Sequence, residues 1–424
     1  MERYSSYKDS NVSWIGMIPE HWGTKQLRSF LTLFTEKGHG DSQLLSVTRE
    51  QGVIERDKED KEENHNFVPD DLSGYKYIEK GDFAINKMKA WQGSYAVSDY
   101  CGIVSPAYFT CKLKGVNKEF FSRAIRSKAY VPFFTQYSKG IRVGQWDLNP
   151  NALKSIPFFL PPLAEQEKIV SYLESKTSKI DAYVADKEKE IQLLQELKQK
   201  TIAEAVTKGL NPNVKMKDSG ISWLGMIPVH WGIKRAKYMF IKNKRNRHPE
   251  DEVITCFRDG QVTLRKNRRL TGFTESEKYD GYQGIRKGDL VIHQMDAFAG
   301  SIGVSDSDGM GTSVYHCCTP IGDYNVYYYA FLIRQMALSG FIQSLYKGIR
   351  ERSSDFSFPV FGNQYLVIPP RTEQNEIVSY IEEKCQKIET LITELQAEID
   401  YLKEYKQRLI ADVVTGQVNV QNEK

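Results

Sequence analysis

The sequence has few cysteines and no long apolar run. Its six cysteines form no CxxC pair and no spacing typical of zinc ligands, so we expect a reduced protein without disulfides. No stretch approaches the roughly 18 apolar residues that a membrane span needs, and the opening MERYSSYKDSN has no apolar signal region. These absences favour a soluble, cytoplasmic protein with no membrane partner.

Motifs for the commoner catalytic and metal sites are also missing. The seven histidines form no HExxH, and neither a GxxxxGK[ST] loop, an Asn-Pro-Pro-aromatic block nor a Gly-rich methyltransferase loop occurs. We therefore predict a non-catalytic chain with no metal and no bound cofactor. Lys+Arg 58 against Asp+Glu 54 gives a net charge of +4, which permits a nucleic-acid partner without requiring one.

An internal repeat organises the chain. DSNVSWIGMIPEHWG at 9–23 returns as DSGISWLGMIPVHWG at 218–232, with most residues identical. Three further matches follow at nearly the same offset: KMKAWQGSYAVSD with QMDAFAGSIGVSD, SKGIR with YKGIR, and PPLAEQEKIVSYL with PPRTEQNEIVSYI. The chain therefore consists of two copies of a unit of about 208 residues, from the offset 369 − 161. Between the matched blocks the copies differ strongly, which suits two binding modules of different specificity on one frame.

The amino-acid composition changes along each copy. Its first 150 or so residues alternate short β-branched and aromatic runs with Gly and Asp, as in GDFAIN (81–86) and GDLVIH (288–293), which indicates a mixed α/β globular part. We interpret Trp14, Trp22 and Tyr327–Tyr329 as core residues rather than a ligand site, and packing as the role of His21 and His230. A Glu-, Lys-, Gln- and Leu-rich stretch follows the Pro-Pro pair.

A heptad pattern in that stretch predicts one helix of about 40 residues per copy, starting after Pro162 and Pro370. A helix of this length must bury its apolar stripe, and the equivalent helix of the other copy is the expected partner. We favour an antiparallel pair, with the globular parts at opposite ends, because linker 207–218 leads from one helix directly into the second globular part. The predicted seam comprises Leu173, Ile180, Val184, Ile191, Leu194, Ile381, Ile388, Ile392, Leu395, Ile399 and Leu402, with Thr177, Lys187 and Cys385 at intervening seam positions.

The predicted fold class is thus α/β (α+β): two tandem globular domains separated by two long helices that form an antiparallel coiled coil, with an internal pseudo-two-fold repeat. The predicted boundaries are 1–160 for the first domain, 161–208 for the first helix, 209–217 for a linker, 218–368 for the second domain, and 369–424 for the second helix and tail.

The Pro-Pro-x-x-Glu-Gln block before each heptad helix resembles the conserved regions of Type I restriction-modification specificity subunits. It occurs as Pro161, Pro162, Glu165, Gln166 and again as Pro369, Pro370, Glu373, Gln374. The openings IPEHW (18–22) and IPVHW (227–231) resemble the start of that family's target-recognition domains. The likeness covers nearly the whole chain.

The resemblance implies that each globular domain reads one half of a bipartite, asymmetric site in double-stranded DNA, while the paired helices fix the unread spacer. It also implies two methylation subunits, which dock on the helices and bring S-adenosylmethionine, and two motor-nuclease restriction subunits, which bring ATP and Mg. These partners would methylate adenine and restrict the DNA.

DNA binding requires cations for phosphates and forked or amide side chains for base edges. Lys234–Arg247 and Arg265–Arg269 are acid-free basic runs, and each KGIR loop joins glycine to two cations. Solvent exposure without contact, or a structural ion pair for the aligned Arg49 and Arg258, remains the alternative reading. The DNA-contact candidates are Arg49, Lys87, Lys89, Gln92, Lys139, Arg142, Lys244, Arg245, Arg247, Arg258, Arg268, Gln294, Lys347, Arg350 and Arg352.

Two other functions stay open from the sequence. A fused restriction-methylation enzyme would need the missing catalytic blocks. A coiled-coil scaffold that binds only protein would not need the basic runs of the second domain.

Overall fold

The structure, a computed structural model, describes residues 2–57, 69, 71–140, 146–268, 279–345 and 355–421. The chain divides into two compact units, of which the first comprises Met1–Glu188 with Gln396–Lys424 and the second comprises Lys189–Leu395. Each unit therefore combines one globular part, which we call its head, with a segment of each of two long helices.

The first head contains fourteen short strands and three short α-helices among its described residues, followed by the start of a long helix. The strands are β1 (Tyr7–Asp9), β2 (Met17–Pro19), β3 (Gly23–Gln26), β4 (Leu31–Phe34), β5 (Leu45–Thr48), β6 (Gly52–Glu55), β7 (Lys76–Ile78), β8 (Phe83–Asn86), β9 (Tyr95–Val97), β10 (Gly102–Val104), β11 (Tyr108–Leu113), β12 (Ser138–Lys139), β13 (Asp147–Leu148) and β14 (Pro157–Leu160). The helices are α1 (Lys118–Arg126), α2 (Val131–Tyr137), α3 (Pro150–Ser155) and the long α4 (Leu163–Lys208).

The second head repeats this order, without counterparts of β12 and β13 among its described residues. Its strands are β15 (Met216–Asp218), β16 (Met226–Pro228), β17 (Gly232–Arg235), β18 (Phe240–Asn243), β19 (Ile254–Cys256), β20 (Val262–Leu264), β21 (Gln283–Ile285), β22 (Leu290–His293), β23 (Ile302–Val304), β24 (Gly309–Gly311), β25 (Tyr315–Pro320) and β26 (Tyr365–Ile368). Its helices are α5 (Val326–Leu338), α6 (Phe341–Ser344), α7 (Phe358–Gly362) and the long α8 (Arg371–Val414).

A four-stranded antiparallel sheet forms the centre of each head. The strand order is β4-β11-β8-β9 in the first and β18-β25-β22-β23 in the second. The run Phe83–Ile85 is buried on both faces, because Phe83 and Ile85 join one apolar cluster while Ala84 joins another. Because both faces of the sheet are buried here, the sequence of such a strand is a continuous apolar run and does not alternate between apolar and polar residues.

The two long helices confirm the predicted helical stretches, and within each unit they pack antiparallel. In the first unit Lys406 Nζ lies 2.6 Å from Asp181 Oδ1, and Lys403 Nζ lies 3.0 Å from Glu188 Oε1, so α8 runs backwards along α4. In the second unit Lys198 Nζ lies 2.5 Å from Glu389 Oε1, while the end of α4 shares an apolar core with the start of α8.

The structure places the predicted seam positions along the packed faces of these helices. Leu173, Val184, Ile381, Ile388, Leu395 and Ile399 are buried, whereas Ile180, Ile191, Leu194, Ile392 and Leu402 are half-buried. Two polar residues at seam positions of α4 lie on the same face of the helix. Thr177 is buried, and the Lys187 ammonium lies over the Tyr183 ring, 5.2 Å from its centroid.

The repeated sequence blocks interlock through Glu and Gln at the start of each long helix. Glu165 is buried and accepts hydrogen bonds from Trp22 Nε1 at 3.1 Å, Tyr4 OH at 2.5 Å and His21 Nε2 at 2.8 Å. In the second unit Glu373 accepts from Trp231 Nε1 at 3.0 Å and His230 Nε2 at 2.9 Å. Each histidine thus lies at the surface with its ring against an aromatic neighbour, as the packing role predicted, and also makes a hydrogen bond to a glutamate that the prediction did not include.

The glutamine that follows each of these glutamates also makes hydrogen bonds to its head. Gln166 accepts from Asn117 N at 2.9 Å and donates to Pro161 O, while Gln374 accepts from Asn325 N at 2.8 Å and donates to Pro369 O. Asn117 and Asn325 cap α1 and α5, so each Glu-Gln pair ties its long helix to its own head.

Two aromatic residues correct the expectation of a uniform core. Trp22, Tyr328 and Tyr329 are fully buried, but 42% of Trp14 and 47% of Tyr327 is exposed. Trp14 lies on the surface with its ring 4.8 Å from Phe133 and its Nε1 donating to Ala129 O. Tyr327 is in the first turn of α5, which turns only Tyr328 and Tyr329 inward.

Candidate nucleic-acid interface

One hairpin tip in each head is fixed to the fold by a half-buried arginine. In the first head, β5 and β6 form this hairpin, and Arg126 donates to Glu50 O at 2.8 Å, Arg49 O at 3.2 Å and Tyr95 O at 3.2 Å. Gly52 has φ +80, and a Cβ there would lie 2.7 Å from Arg126 Nη1. Only glycine therefore allows the guanidinium to approach the tip so closely.

The second head repeats this arrangement between β19 and β20. Arg334 donates to Arg258 O and Gly300 O, both at 3.0 Å, and Gly260, with φ +90, lies against its side chain. Desolvation lowers the pKa of both guanidiniums. The tips carry Arg49 and Arg258, so the structure gives these aligned residues equivalent backbone positions.

Arg126 and Arg334 were missed by the sequence reasoning, although a signal was present. Each follows isoleucine in its helix, and their numbers differ by 334 − 126 = 208, the repeat offset. An arginine kept at the same repeat position, directly after an apolar helix residue in both copies, indicates a partner that both copies share.

The turn at 87–92 brings together several predicted cations of the first head. Lys87 Nζ lies 3.4 Å from Asp147 Oδ2, and Leu148 N donates to Lys87 O. Because Asp147 is paired with Lys139 across β12 and β13, Lys139 lies beside this turn. Lys89 and Lys139 are exposed, and within the described part of the chain neither has an ion-pair partner.

Aromatic side chains border the same turn. The rings of Trp91 and Trp146 are 5.1 Å apart, and Met88 is 59% exposed at the tip. Gln92 is half-buried, and the turn ends at Gly93, next to Arg49. Cations beside aromatic and apolar side chains form a surface suited to a nucleic acid, since the cations meet phosphates and the flat rings meet sugars or bases.

The equivalent turn at 294–299 differs in charge. Arg258 Nη2 lies 3.2 Å from Asp296 Oδ1, and the Gln294 amide donates to Asp355. His293 Nδ1 accepts from the backbone N–H groups of Met295 and Asp296, and desolvation lowers the His293 pKa. The second turn thus carries a carboxylate that is ion-paired with Arg258, whereas the first carries the exposed Lys89, which has no ion-pair partner among the described residues.

Arg268 follows the hairpin that carries Arg258, and its side chain reaches back to the tip. Its guanidinium is 4.3 Å from the centroid of the Phe257 ring, and its Nη1 is 2.6 Å from Asp259 Oδ2. Stacking and a carboxylate together fix the plane of the guanidinium.

The basic run at 244–247 contains both exposed and structural cations. Lys244 and Arg247 are exposed and have no ion-pair partner within the described ranges. Arg245 Nη1, in contrast, lies 2.5 Å from Oδ2 of the buried Asp289, which also accepts from Arg286 N. This contact gives Arg245 a structural partner. Arg142, Lys347, Arg350 and Arg352 lie outside the described residues.

In the described part of the chain, no helix is both long and apolar enough to cross a membrane. The same residues contain no group of three or more His, Cys, Asp or Glu placed to hold a metal ion.

No protein-family model matches the chain. Among solved structures it is similar to a chain from a structure of the complex assembly and conformational transition of the type I R-M system, with 16% identity and a TM-score of 0.66 over 95% of this chain and 99% of that one. It is also similar to the HsdS subunit from Thermoanaerobacter tengcongensis, with 15% identity and a TM-score of 0.52 over 97% of this chain and 100% of that one. The duplicated heads and the two long helices thus form the fold of Type I HsdS subunits.

Proposed function

We propose that this chain is the DNA-reading specificity subunit of a Type I restriction-modification complex. The observation that carries the proposal is the duplicated head, in which one frame presents two different sets of polar side chains at equivalent tips. A fold match over at least 95% of the chain supports it. Each head would read one half of a bipartite, asymmetric site, so that different side chains give different half-sites.

In this proposal the chain binds but does not react. Two methylation subunits would dock on α4 and α8 and bring S-adenosylmethionine, and two restriction subunits would bring ATP and Mg. The first head would hold phosphates with Lys87, Lys89 and Lys139, since a lysine is a point charge suited to that contact. The complex would act on cytoplasmic DNA, methylating adenine or restricting.

The test is the pattern of methylated adenine in cells that express the chain with its neighbouring methylation subunit. Single-molecule sequencing should find a bipartite motif that disappears when the chain is deleted. Replacing residues 218–368 by the corresponding part of a different specificity subunit should change one half of the motif and leave the other half intact.

Two results would contradict the proposal. Methylation that is unchanged without the chain would show that the chain reads nothing, and a continuous motif would argue against two separate readers. Either result would favour the coiled-coil scaffold, which predicts partner binding without DNA recognition.

A further inference from the structure

We infer that Arg258 reads a guanine base in the half-site bound by the second head, and that Asp296 is the positioning residue that orients it. The inference rests on the proposed function and goes beyond it, because it assigns one base class to one side chain.

The backbone of Arg258 is fixed before any ligand binds. Arg334 donates to Arg258 O at 3.0 Å, and Gly260 N donates to Phe257 O at 3.0 Å across the tip. A Cβ at Gly300 would lie only 2.8 Å from Arg258 O, so the tip sits directly on the 294–299 turn. The starting point of the side chain is therefore set by the fold of the head.

The side chain is exposed yet oriented. Arg258 is 68% exposed, and its one partner in the described part of the chain is Asp296, through Nη2 at 3.2 Å. Asp296 is itself fixed, because its N–H donates to His293 Nδ1 at 3.1 Å and its carbonyl accepts from Ala299 N at 3.0 Å. The remaining guanidinium N–H groups are left for a ligand in a preset direction.

The local charge argues against a phosphate as that ligand. The tip carries Arg258 and Arg268, but Asp296 and Asp259 lie within 3.2 Å of them and balance their charge. A carboxylate beside the contact repels a phosphate, whereas a base edge carries no net charge. Guanine presents two acceptors, O6 and N7, at the spacing of a guanidinium fork, and this is the commonest specific contact of arginine in the major groove.

The first head provides a built-in comparison. Arg49 has the same backbone anchor, through Arg126, but its carboxylate partner is the adjacent Glu50 at 2.7 Å. Lys89 occupies the position of Asp296, so no carboxylate holds Arg49 from across the turn. The equivalent turn position is thus a carboxylate that pairs with the tip arginine in the second head and a lysine in the first.

The experiment measures binding by the complex of the chain with its methylation subunits. The probes are duplexes of the methylated site in which each guanine of the second half is replaced in turn by 7-deazaguanine, which lacks N7. At one position the wild-type complex should lose between about 5- and 150-fold in affinity. Arg258→Ala should be indifferent to the replacement there, because it has no donor left. Arg258→Lys, which can still donate to N7 or O6 but lacks the planar fork, and Asp296→Asn should both show a reduced penalty.

Control variants separate the outcomes. Arg247→Ala, an exposed arginine with no ion-pair partner in the described ranges, should weaken binding to all probes equally and keep the full penalty. In cells, Arg258→Ala should relax one guanine of the second half-motif and leave the first half unchanged. If both Arg258 variants keep every guanine specified, the inference is wrong while the reader function stands. If the wild-type chain directs methylation of no bipartite motif, both the inference about Arg258 and the proposed reader function are wrong.

Discussion

A single buried carboxylate explains why two distant sequence blocks recur together. Glu165 is only 3% exposed and accepts from three side chains, two of which belong to the IPEHW block. A buried carboxylate requires such donors, because an unpaired charge in the interior is costly. The pairing therefore links the start of α4 to the start of the head, and Glu373 does the same in the second unit.

Replacing Glu165 by alanine should destabilise the protein by about 2–5 kcal/mol, since Trp22 Nε1 and Tyr4 OH would be left buried without an acceptor. Glu373→Ala should cost less, because that side chain is 21% exposed and accepts from two residues. Urea unfolding followed by circular dichroism measures both. The exposed Glu167→Ala is the control, and an equal loss in all three variants would contradict the argument.

His316 should make stability depend on pH. Burial and the nearby Lys242 lower its pKa to about 4, while its Nε2 donates to Phe356 O at 3.0 Å. The unfolded chain takes up this proton near pH 6.5 and the folded chain only near pH 4, so stability is full above pH 6.5 and falls as the pH drops through this window.

The His316 contribution lost by pH 4 should reach up to about 3 kcal/mol. Urea midpoints measured between pH 7 and pH 4 for the wild type and His316→Asn test this. The difference between the two proteins should shrink as the pH falls, because asparagine has no proton to gain. A constant difference would mean that His316 does not titrate in this window.

At the scale of the element, the long helices depend on their stripe rather than on their surface. Ile399 is fully buried in the seam, whereas the nearby Tyr401 is 69% exposed. Ile399→Ala should destabilise the protein by about 2–5 kcal/mol through lost burial and a cavity, and Tyr401→Ala should change stability by less than about 0.5 kcal/mol. Thermal and urea unfolding compare them, and similar losses would contradict the packing.

Each hairpin tip is predicted to be an independent element held by its own arginine. Arg334→Met keeps much of the side-chain volume but removes the donors to Arg258 O and Gly300 O. Amide hydrogen exchange at 257–261 should accelerate by at least about tenfold, the effect of losing about 1.4 kcal/mol of local stability. Amides of β22 should keep their protection, since equal acceleration there would indicate general unfolding.

The elements that the sequence predicted best are those with a strong period. The heptad spacing predicted α4 and α8, and the repeat offset predicted that both copies share one frame. The hydrogen-bond partners of Glu165 and Arg126 were not predictable, because each partner lies far along the chain. The repeat offset marks Arg126 and Arg334 as equivalent positions but does not say what they contact. Trp14 and Tyr327 were misassigned to the core since side-chain type alone does not say which face of an element is covered.

At the scale of the whole molecule, net charge says little about where DNA would bind. The chain carries only +4, yet lysines gather at the 87–92 turn, and Lys244 and Arg247 are exposed in the second head. Arg245 and Arg258 have carboxylate partners in the fold, so they add less to any long-range field. Affinity for phosphate should therefore depend on a few unpaired cations, and base selection on the paired ones.

This division predicts how salt should affect binding by the complex. DNA binding releases about one counterion for each phosphate that a cation neutralises, so a variant lacking one such cation releases about one fewer. Lys89→Ala and Lys139→Ala should therefore each reduce the magnitude of the slope of log affinity against log salt by about 1. Both should weaken specific and nonspecific DNA alike, because the phosphate backbone is the same in each. Arg258→Ala should instead reduce specific binding selectively and leave the slope nearly unchanged, since its contact is to a base. Fluorescence anisotropy from about 50 to 200 mM salt measures all three variants. A slope change for Arg258→Ala as large as for the lysines would assign it to a phosphate.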